Sequence, residues 1–274
     1  ITDWLKAFAA DGKKQLSTEI KEMDTGASGI AKIKKPSGDR NRSSPFPYGG
    51  NRFEFRAVGS SQNVSIVNMV LAAIVADAFK KFSEQIEAGK SPVEVAQEAL
   101  KKHAKVIFNG DGYSAAEQER LTREGYCRID SGVEAIGKLT DAKNTKLFAE
   151  QGIFTEEEVK ARQAVLLEHY TGIVETEALA MIQIMEQNVI PSTEEASALM
   201  KSVSDPRLDV SKLRGAVKGL QQALDDIHAQ PDHMEAARKA RVLRLETMVA
   251  TRELCDLAEA ACPAHLWSLP TYAE

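Results

Sequence analysis

The chain has 274 residues, of which 43% are hydrophobic and 27% charged, with a formal net charge of −5 at pH 7. That is enough apolar material for one large core or two smaller ones, yet no apolar run approaches the roughly 18 residues of a membrane-spanning helix. No basic start followed by an apolar stretch marks a secretory signal, and basic residues interrupted by Pro and Gly, without an aromatic stacking platform, argue against nucleic acid as a partner.

Residues 1–9 read as the end of a helix. From Asp11 to Gly38 the chain is polar and broken by Gly12, Gly26, Gly29, Pro36 and Gly38, which predicts a long connecting loop with a weak strand near Ile30 to Ile33. The charge is unevenly spread: residues 1–56 carry 11 Lys/Arg against 7 Asp/Glu, and the remainder 24 against 33. The front of the chain is therefore suited to anions.

Asp39-Arg-Asn-Arg-Ser-Ser-Pro-Phe46, then Gly49-Gly-Asn-Arg-Phe-Glu-Phe-Arg56, concentrates four arginines around a Gly-Gly turn. Arg52, Glu54 and Arg56 alternate with Phe53 and Phe55, the period of a β-strand over 51–58. The three charged side chains then share one face, and the two phenylalanines anchor the other in a core. A carboxylate between two guanidiniums is suited to a divalent cation beside phosphate oxygens. A plain Arg–Glu–Arg ladder on an exposed sheet is the structural alternative.

An apolar stripe, Ile66, Val67, Val70, Leu71, Ile74, Val75, Phe79 and Phe82, predicts a helix over 64–87. Ser91-Pro92 caps the next, which runs to about His103. Lys105 to Phe108 reads as a short extended piece and Asn109-Gly-Asp-Gly112 as a turn. The turn lacks the Lys and spacing of a phosphate-binding P-loop. Ser114, with Glu117 three residues on, starts a further helix.

Beyond residue 114 the pattern is helical almost throughout. Thr155 with Glu158 is a capping box for a helix over 155–190, carrying Val159, Leu166, Tyr170, Ile173, Val174, Met181, Ile184 and Met185 at helical spacing, with Pro191 as its stop. Helices over about 209–229 and 231–261 follow, the latter with Pro231 at its first position. Three long amphipathic helices with short breaks predict an antiparallel bundle. Cys127, Cys255 and Cys262 lack metal-like spacing and read as buried free thiols. His228 and His233 flank Pro231 in a loop and read as solvated.

The Arg40-Asn-Arg-Ser step followed by an Arg-x-Glu-x-Arg strand resembles the late catalytic segment of glutamine synthetases. The wording DRNRSSPF and GGNRFEFRAVGSSQN is similar to the type III branch. Val106-Ile-Phe-Asn-Gly-Asp-Gly-Tyr-Ser114, Phe154-Thr-Glu-Glu-Glu158 and Leu266-Trp-Ser-Leu-Pro-Thr-Tyr272 extend the resemblance to the end of the chain. It implies an α+β fold: residues 1–114 as the C-terminal part of a catalytic domain, a strand segment plus helices, and 115–274 as a helical C-terminal domain.

The resemblance implies an ATP-dependent glutamate–ammonia ligase using Mg2+ or Mn2+. Glutamate, ammonia and ATP would be its substrates, and it would be a cytoplasmic homo-oligomer, a dodecamer of two rings. Glu54 falls on the family's metal-binding glutamate. Arg56 falls on the arginine that meets the transferring phosphate and substrate carboxylate, Arg42 on one holding the phosphoryl-acceptor region, and Arg52 near the nucleotide phosphates. Arg40 has no firm counterpart. The better-known bacterial pattern has a further arginine where this chain has Pro47, and the type III branch lacks that arginine too.

The family's remaining metal carboxylates, its metal histidine and its Asn-Glu-Ala-Pro loop are absent. With an opening residue of Ile1 rather than Met, the expectation is a C-terminal portion of a longer protein that does no chemistry alone. A different class of function, a non-catalytic helical assembly or regulatory module retaining a catalytic remnant, also accommodates the acidic, helix-rich region 115–274.

Overall fold

A computed structural model describes residues 2–12, 22, 23, 26, 29, 31, 33, 34, 46–48, 52–56, 62–107, 111–200 and 205–270. They divide into two compact units, Ile1–Arg128 and Ile129–Glu274.

In the first unit, α1 (Thr2–Ala10) leads to the antiparallel pair β1 (Glu22–Met23) and β2 (Ile33–Lys34), with Glu22 opposite Lys34 and Met23 opposite Ile33. Helix α2 (Ser65–Glu87) and helix α3 (Pro92–Lys102) follow. The Ser91 hydroxyl accepts from Glu94 N–H while the Glu94 carboxylate accepts from Ser91 N–H, a complete capping box that pins the start of α3. α1 packs on α3, where Gln97 Nε2 donates to Phe8 O at 3.0 Å. A Cβ at Gly12 would stand 2.6 Å from Val93 Cγ1, so a larger residue there would force the Val93 side chain or the backbone to shift.

The α2 stripe is mostly uncovered. Ala73 alone is buried on this helix, and Phe79 remains 66% exposed beside an open groove lined by Phe82, Ile86, Pro92, Val95 and Ala96. Ala104–Val106 forms a 3-10 turn rather than the expected extended piece, closed by Ile107 N–H onto Ala104 O; Phe108 lies outside the described residues. Of the expected 109–112 turn, Asp111 and Gly112 are described. Asp111 Oδ1 accepts from Tyr113 N–H at 3.0 Å, and Ser114 caps α4 (Ala115–Arg123) by accepting from Glu117 N–H.

The second unit is helical. α5 (Gly132–Gly137), a 3-10 turn at Lys138–Thr140 and α6 (Ala142–Glu150) precede α7 (Glu156–Ile184), whose Thr155/Glu158 capping box is complete. Gln163 on α7 donates to Ile136 O, Gly137 O and Thr140 Oγ1, tying α5 and the following turn to the long helix.

Pro191 does not stop α7. The chain passes through a π-turn at Met185–Val189 straight into α8 (Ile190–Leu199). Ile190 N–H reaches back to Met185 O, and the next position, which would donate in a regular helix, is the proline that has no N–H. A widened turn also relieves the clash between the ring and the carbonyl four residues back.

α9 (Val210–His228) is capped by Asp209. Asp232, rather than Pro231, caps α10 (His233–Val242), so the proline lies just outside the helix. A second π-turn, Leu243–Thr247, joins α10 to α11 (Met248–Ala261).

Cross-helix pairs fix the directions. Glu168 and Glu177 on α7 meet His233 and Arg244 in the same order, so these two helices run parallel. Glu175 and Glu194 meet His228 and Arg214 in reverse order, so α9 runs antiparallel to both. Successive long helices therefore alternate in direction, as in an up-down-up bundle. Its core joins Val174, Ala178, Ile182, Met185 and Val189 to Leu213, Leu220, Leu224, Ile227, Ala240, Leu243, Cys255 and Ala258.

Candidate functional site

The sequence places its chemistry in residues 40–56, of which 46–48 and 52–56 are described. Arg40 and Arg42 lie outside the described residues. Within 52–56 the expected strand is reduced to one antiparallel bridge, Phe53 opposite Tyr48, with Glu54 N–H donating to Pro47 O at 3.2 Å. A strand needs a ladder of partners along its edge, and among the described residues 46–48 and 52–56 one bridge is present.

The alternation of side chains survives without the ladder. Phe46 stacks on Phe53 at 5.2 Å between ring centroids and meets Phe55 edge-on at 6.2 Å; Tyr48 tilts against Phe53 at 5.0 Å. Both phenylalanines thus converge on one aromatic cluster, while Glu54 and Arg56 bond to each other. The cluster is not the expected core anchor: Phe53 is 63% exposed, and Phe46, Tyr48 and Phe55 are exposed too. Phe46 and Tyr48 are partners that the sequence reading misses, although the Phe-Pro-Tyr run just before the Gly-Gly turn is the signal that carries them.

Arg56 grips Glu54 with two parallel hydrogen bonds: Nε donates to Oε1 at 3.1 Å and Nη2 to Oε2 at 3.1 Å. The Glu54 carboxylate raises the Arg56 guanidinium above its ordinary range, chiefly through these hydrogen bonds, with a smaller electrostatic contribution from Tyr113. Tyr113, given no site role by the sequence, therefore belongs to the electrostatic surroundings of Arg56. Arg52 is exposed.

A divalent cation of the Mg2+ or Mn2+ class takes six or so oxygen ligands. Among the described residues no group of three or more His, Cys, Asp or Glu side chains is placed to hold one. Glu54, with two oxygens on an exposed carboxylate, fits one ligand of such a site and not a whole site. The histidines of the α9–α10 turn are pair partners instead, His228 Nε2 lying 2.9 Å from Glu175 and His233 Nδ1 3.4 Å from Glu168. Cys255 and Cys262 are buried as expected, but Cys127 is exposed. The packing of α11 and its C-terminal end covers the first two, whereas Cys127 lies in the open segment after α4. No helix among the described residues is long and apolar enough to cross a membrane.

Residues 92–206 match the family model described as the glutamine synthetase C-terminal domain. The resemblance to glutamine synthetases is thus shown, by a match that begins C-terminal to the Arg-rich segment. Similarity to a Type-3 glutamine synthetase from Dictyostelium discoideum reaches 32% identity over 92% of this chain and 39% of the relative. Glutamine synthetases from Bacteroides fragilis (strain YCH46) and Butyrivibrio fibrisolvens are each 26% identical, over 95% and 98% of the chain. The chain spans about two fifths of the length of these curated relatives, 39% to 41%.

Proposed function

We propose that this chain is the C-terminal part of a type-3 glutamine synthetase, an ATP-dependent glutamate–ammonia ligase. The observation that carries the reading is the similarity to the Dictyostelium type-3 relative over 92% of the chain. In this reading the γ-carboxylate of glutamate attacks the terminal phosphate of ATP to give γ-glutamyl phosphate and ADP. Ammonia then displaces phosphate to give glutamine.

The chain's own contribution is electrostatic. Arg56 presents a planar fork to two equatorial oxygens of the phosphoryl group as charge builds there. Arg42 and Arg52 add positive charge toward the acceptor and the nucleotide phosphates. Glu54 offers one hard carboxylate to Mg2+ or Mn2+. When bound, the cation neutralises phosphate oxygens. A single carboxylate does not complete such a site, so the chain alone is expected to be inactive, with the remaining ligands supplied by the longer polypeptide. The same reading makes the assembled protein a cytoplasmic homo-oligomer, a dodecamer of two rings.

The test uses the complete polypeptide that carries these residues. Glu54→Ala is expected to abolish glutamine synthesis and weaken Mn2+ binding while leaving far-UV circular dichroism unchanged. Arg56→Lys is expected to lose most activity, because a point ammonium cannot reproduce two parallel contacts. Wild-type turnover in the Glu54 variant would refute the cation assignment. A second reading, a non-catalytic helical module, is favoured by one observation: the described residues bring together no three metal-ligating side chains. It predicts that neither substitution touches synthesis.

A further inference from the structure

The rod formed by α10, its π-turn and α11 turns one side to the bundle core and leaves the other bare. Ala240, Leu243, Cys255 and Ala258 are buried in the core shared with α7 and α9. Between them Val242, Leu245 and Val249 recur at successive turns and are 45%, 53% and 50% exposed. Leu257, two turns further on, is exposed as well. Together they leave apolar area in water that a second apolar face would cover.

The charges at the two ends of this stripe select the partner. Before it stand Glu235, Arg238, Lys239 and Arg241, three cations against one anion; after it stand Arg252, Glu253, Asp256 and Glu259, one cation against three anions. A face that is basic at one end, apolar in the middle and acidic at the other complements itself when turned end for end, and repels itself in parallel. Arg238 meets Glu134 and Glu235 within the chain, but Lys239 donates to the Asp226 carbonyl, and Glu253 is exposed.

We propose that a second copy of this chain docks on this stripe, the two α10–α11 rods packing antiparallel about a two-fold axis near residue 247. The contact is isologous, so each pairing occurs twice. Leu245 of each copy packs on Val249 of the other, Lys239 faces Glu253, and Arg238 comes near Asp256. Glu246 meets its own copy beside the axis, a like-charge contact within an otherwise complementary face. One helix face per copy lies at the low end of specific interfaces in area, so the contact is reversible and sensitive to single substitutions. The proposal stands on the second unit alone and does not depend on the catalytic reading.

The test is disulfide trapping on the complete polypeptide, with Cys127→Ser removing this chain's exposed thiol and linked peptides identified by mass spectrometry. Glu246→Cys, beside the axis, is expected to link to its own copy under mild oxidation. Lys239→Cys alone is expected not to, because the two copies of that position stand about 24 Å apart along the rods. Co-expressed with Glu253→Cys protein, it is expected to link to that partner. Self-linking of Lys239→Cys, or no link through Glu246→Cys, overturns the antiparallel pair.

Leu245→Asp puts a charge into the apolar stripe twice per pair and is expected to cut the Glu246→Cys link about ten-fold. Lys239→Glu sets like charges face to face and is expected to weaken it too, while adding Glu253→Lys is expected to restore it. All these positions lie outside the core, and circular dichroism of each variant confirms that the fold is retained. Undiminished trapping in Leu245→Asp would mean adventitious collision and overturns the proposal. A double reversal that stays as weak as the single one would mean that the charged ends face something other than a second copy, and overturns it equally.

Discussion

Asp205 does two jobs with one carboxylate. Its Oδ1 accepts from Arg207 N–H at 2.9 Å, and its Oδ2 meets Arg207 Nη2 at 2.6 Å. The guanidinium first, and the backbone N–H second, hold its carboxyl well below the usual carboxylate range, at a pKa of about 2. A carboxyl so lowered stabilises the turn fully above the ordinary carboxylate range and loses that contribution as pH falls through about 2. A carbon-detected NMR titration should place the Asp205 midpoint near that value; a midpoint at the ordinary carboxylate position would show that the pair does not persist in solution.

The thiols give a second test at the same scale. Burial pushes Cys255 up to about 11 and raises Cys262, while Cys127 is exposed. Since the thiolate is the reactive form, iodoacetamide at neutral pH should modify one thiol per native chain and all three after denaturation. Comparable labelling of Cys255 in the native protein would contradict the packing of α11. The sequence alone could not separate Cys127 from the other two, because a lone cysteine carries no periodic pattern to mark its face.

Element by element, what the sequence revealed depended on how local the cause was. The Ser/Thr caps at Ser91, Ser114 and Thr155 were legible because each cap and its N3 glutamate lie within one turn, although Ser131, which caps α5 with Glu134 at the same spacing, went unread. Of the strand expected over 51–58, the described residues 52–56 hold a single bridge, since alternation specifies faces while a ladder depends on partners elsewhere in the chain. Phe53 and Phe55 kept their common face, meeting at Phe46, but the row of backbone bonds did not follow. Pro191 misleads for a related reason: its ring forbids a regular turn, not the π-turn that the packed residues Met185 and Val189 sustain. Thr155→Ala removes one half of the capping box on α7 and should cost about 1 kcal/mol. A shift of the urea midpoint at constant slope would report it, and an unmoved midpoint would mean that the start of α7 is held by tertiary packing alone.

At the scale of the molecule, the sequence reading divides the chain at 114/115, the packed units divide at Arg128 and Ile129, and the family match spans 92–206, crossing both. Apolar spacing showed that long helices would pair, yet not where one packed unit hands over to the next, because α4 carries no buried residue to assign it. The second unit has the means to stand alone. Leu220 and Leu224 of α9 are almost wholly buried in one core with Val174, Ala178 and Ile182 of α7 and Leu243 of the α10–α11 rod. A polypeptide of residues 129–274 is therefore expected to melt in a single cooperative transition. Leu220→Ala in it should cost about 2–5 kcal/mol, a large share of the roughly 5–15 kcal/mol that holds a typical domain. Ending the chain at residue 191 instead removes most of α8 and all of α9 to α11 and bares Val174, Ala178, Ile182, Met185 and Val189 together, a continuous apolar face that water does not tolerate. That shorter piece should aggregate or lose its cooperative transition, as read by calorimetry and light scattering. If it stays monomeric and melts as sharply as 129–274, then α7 draws its stability from α5 and α6, and the three-helix core is an accessory rather than the foundation of the unit.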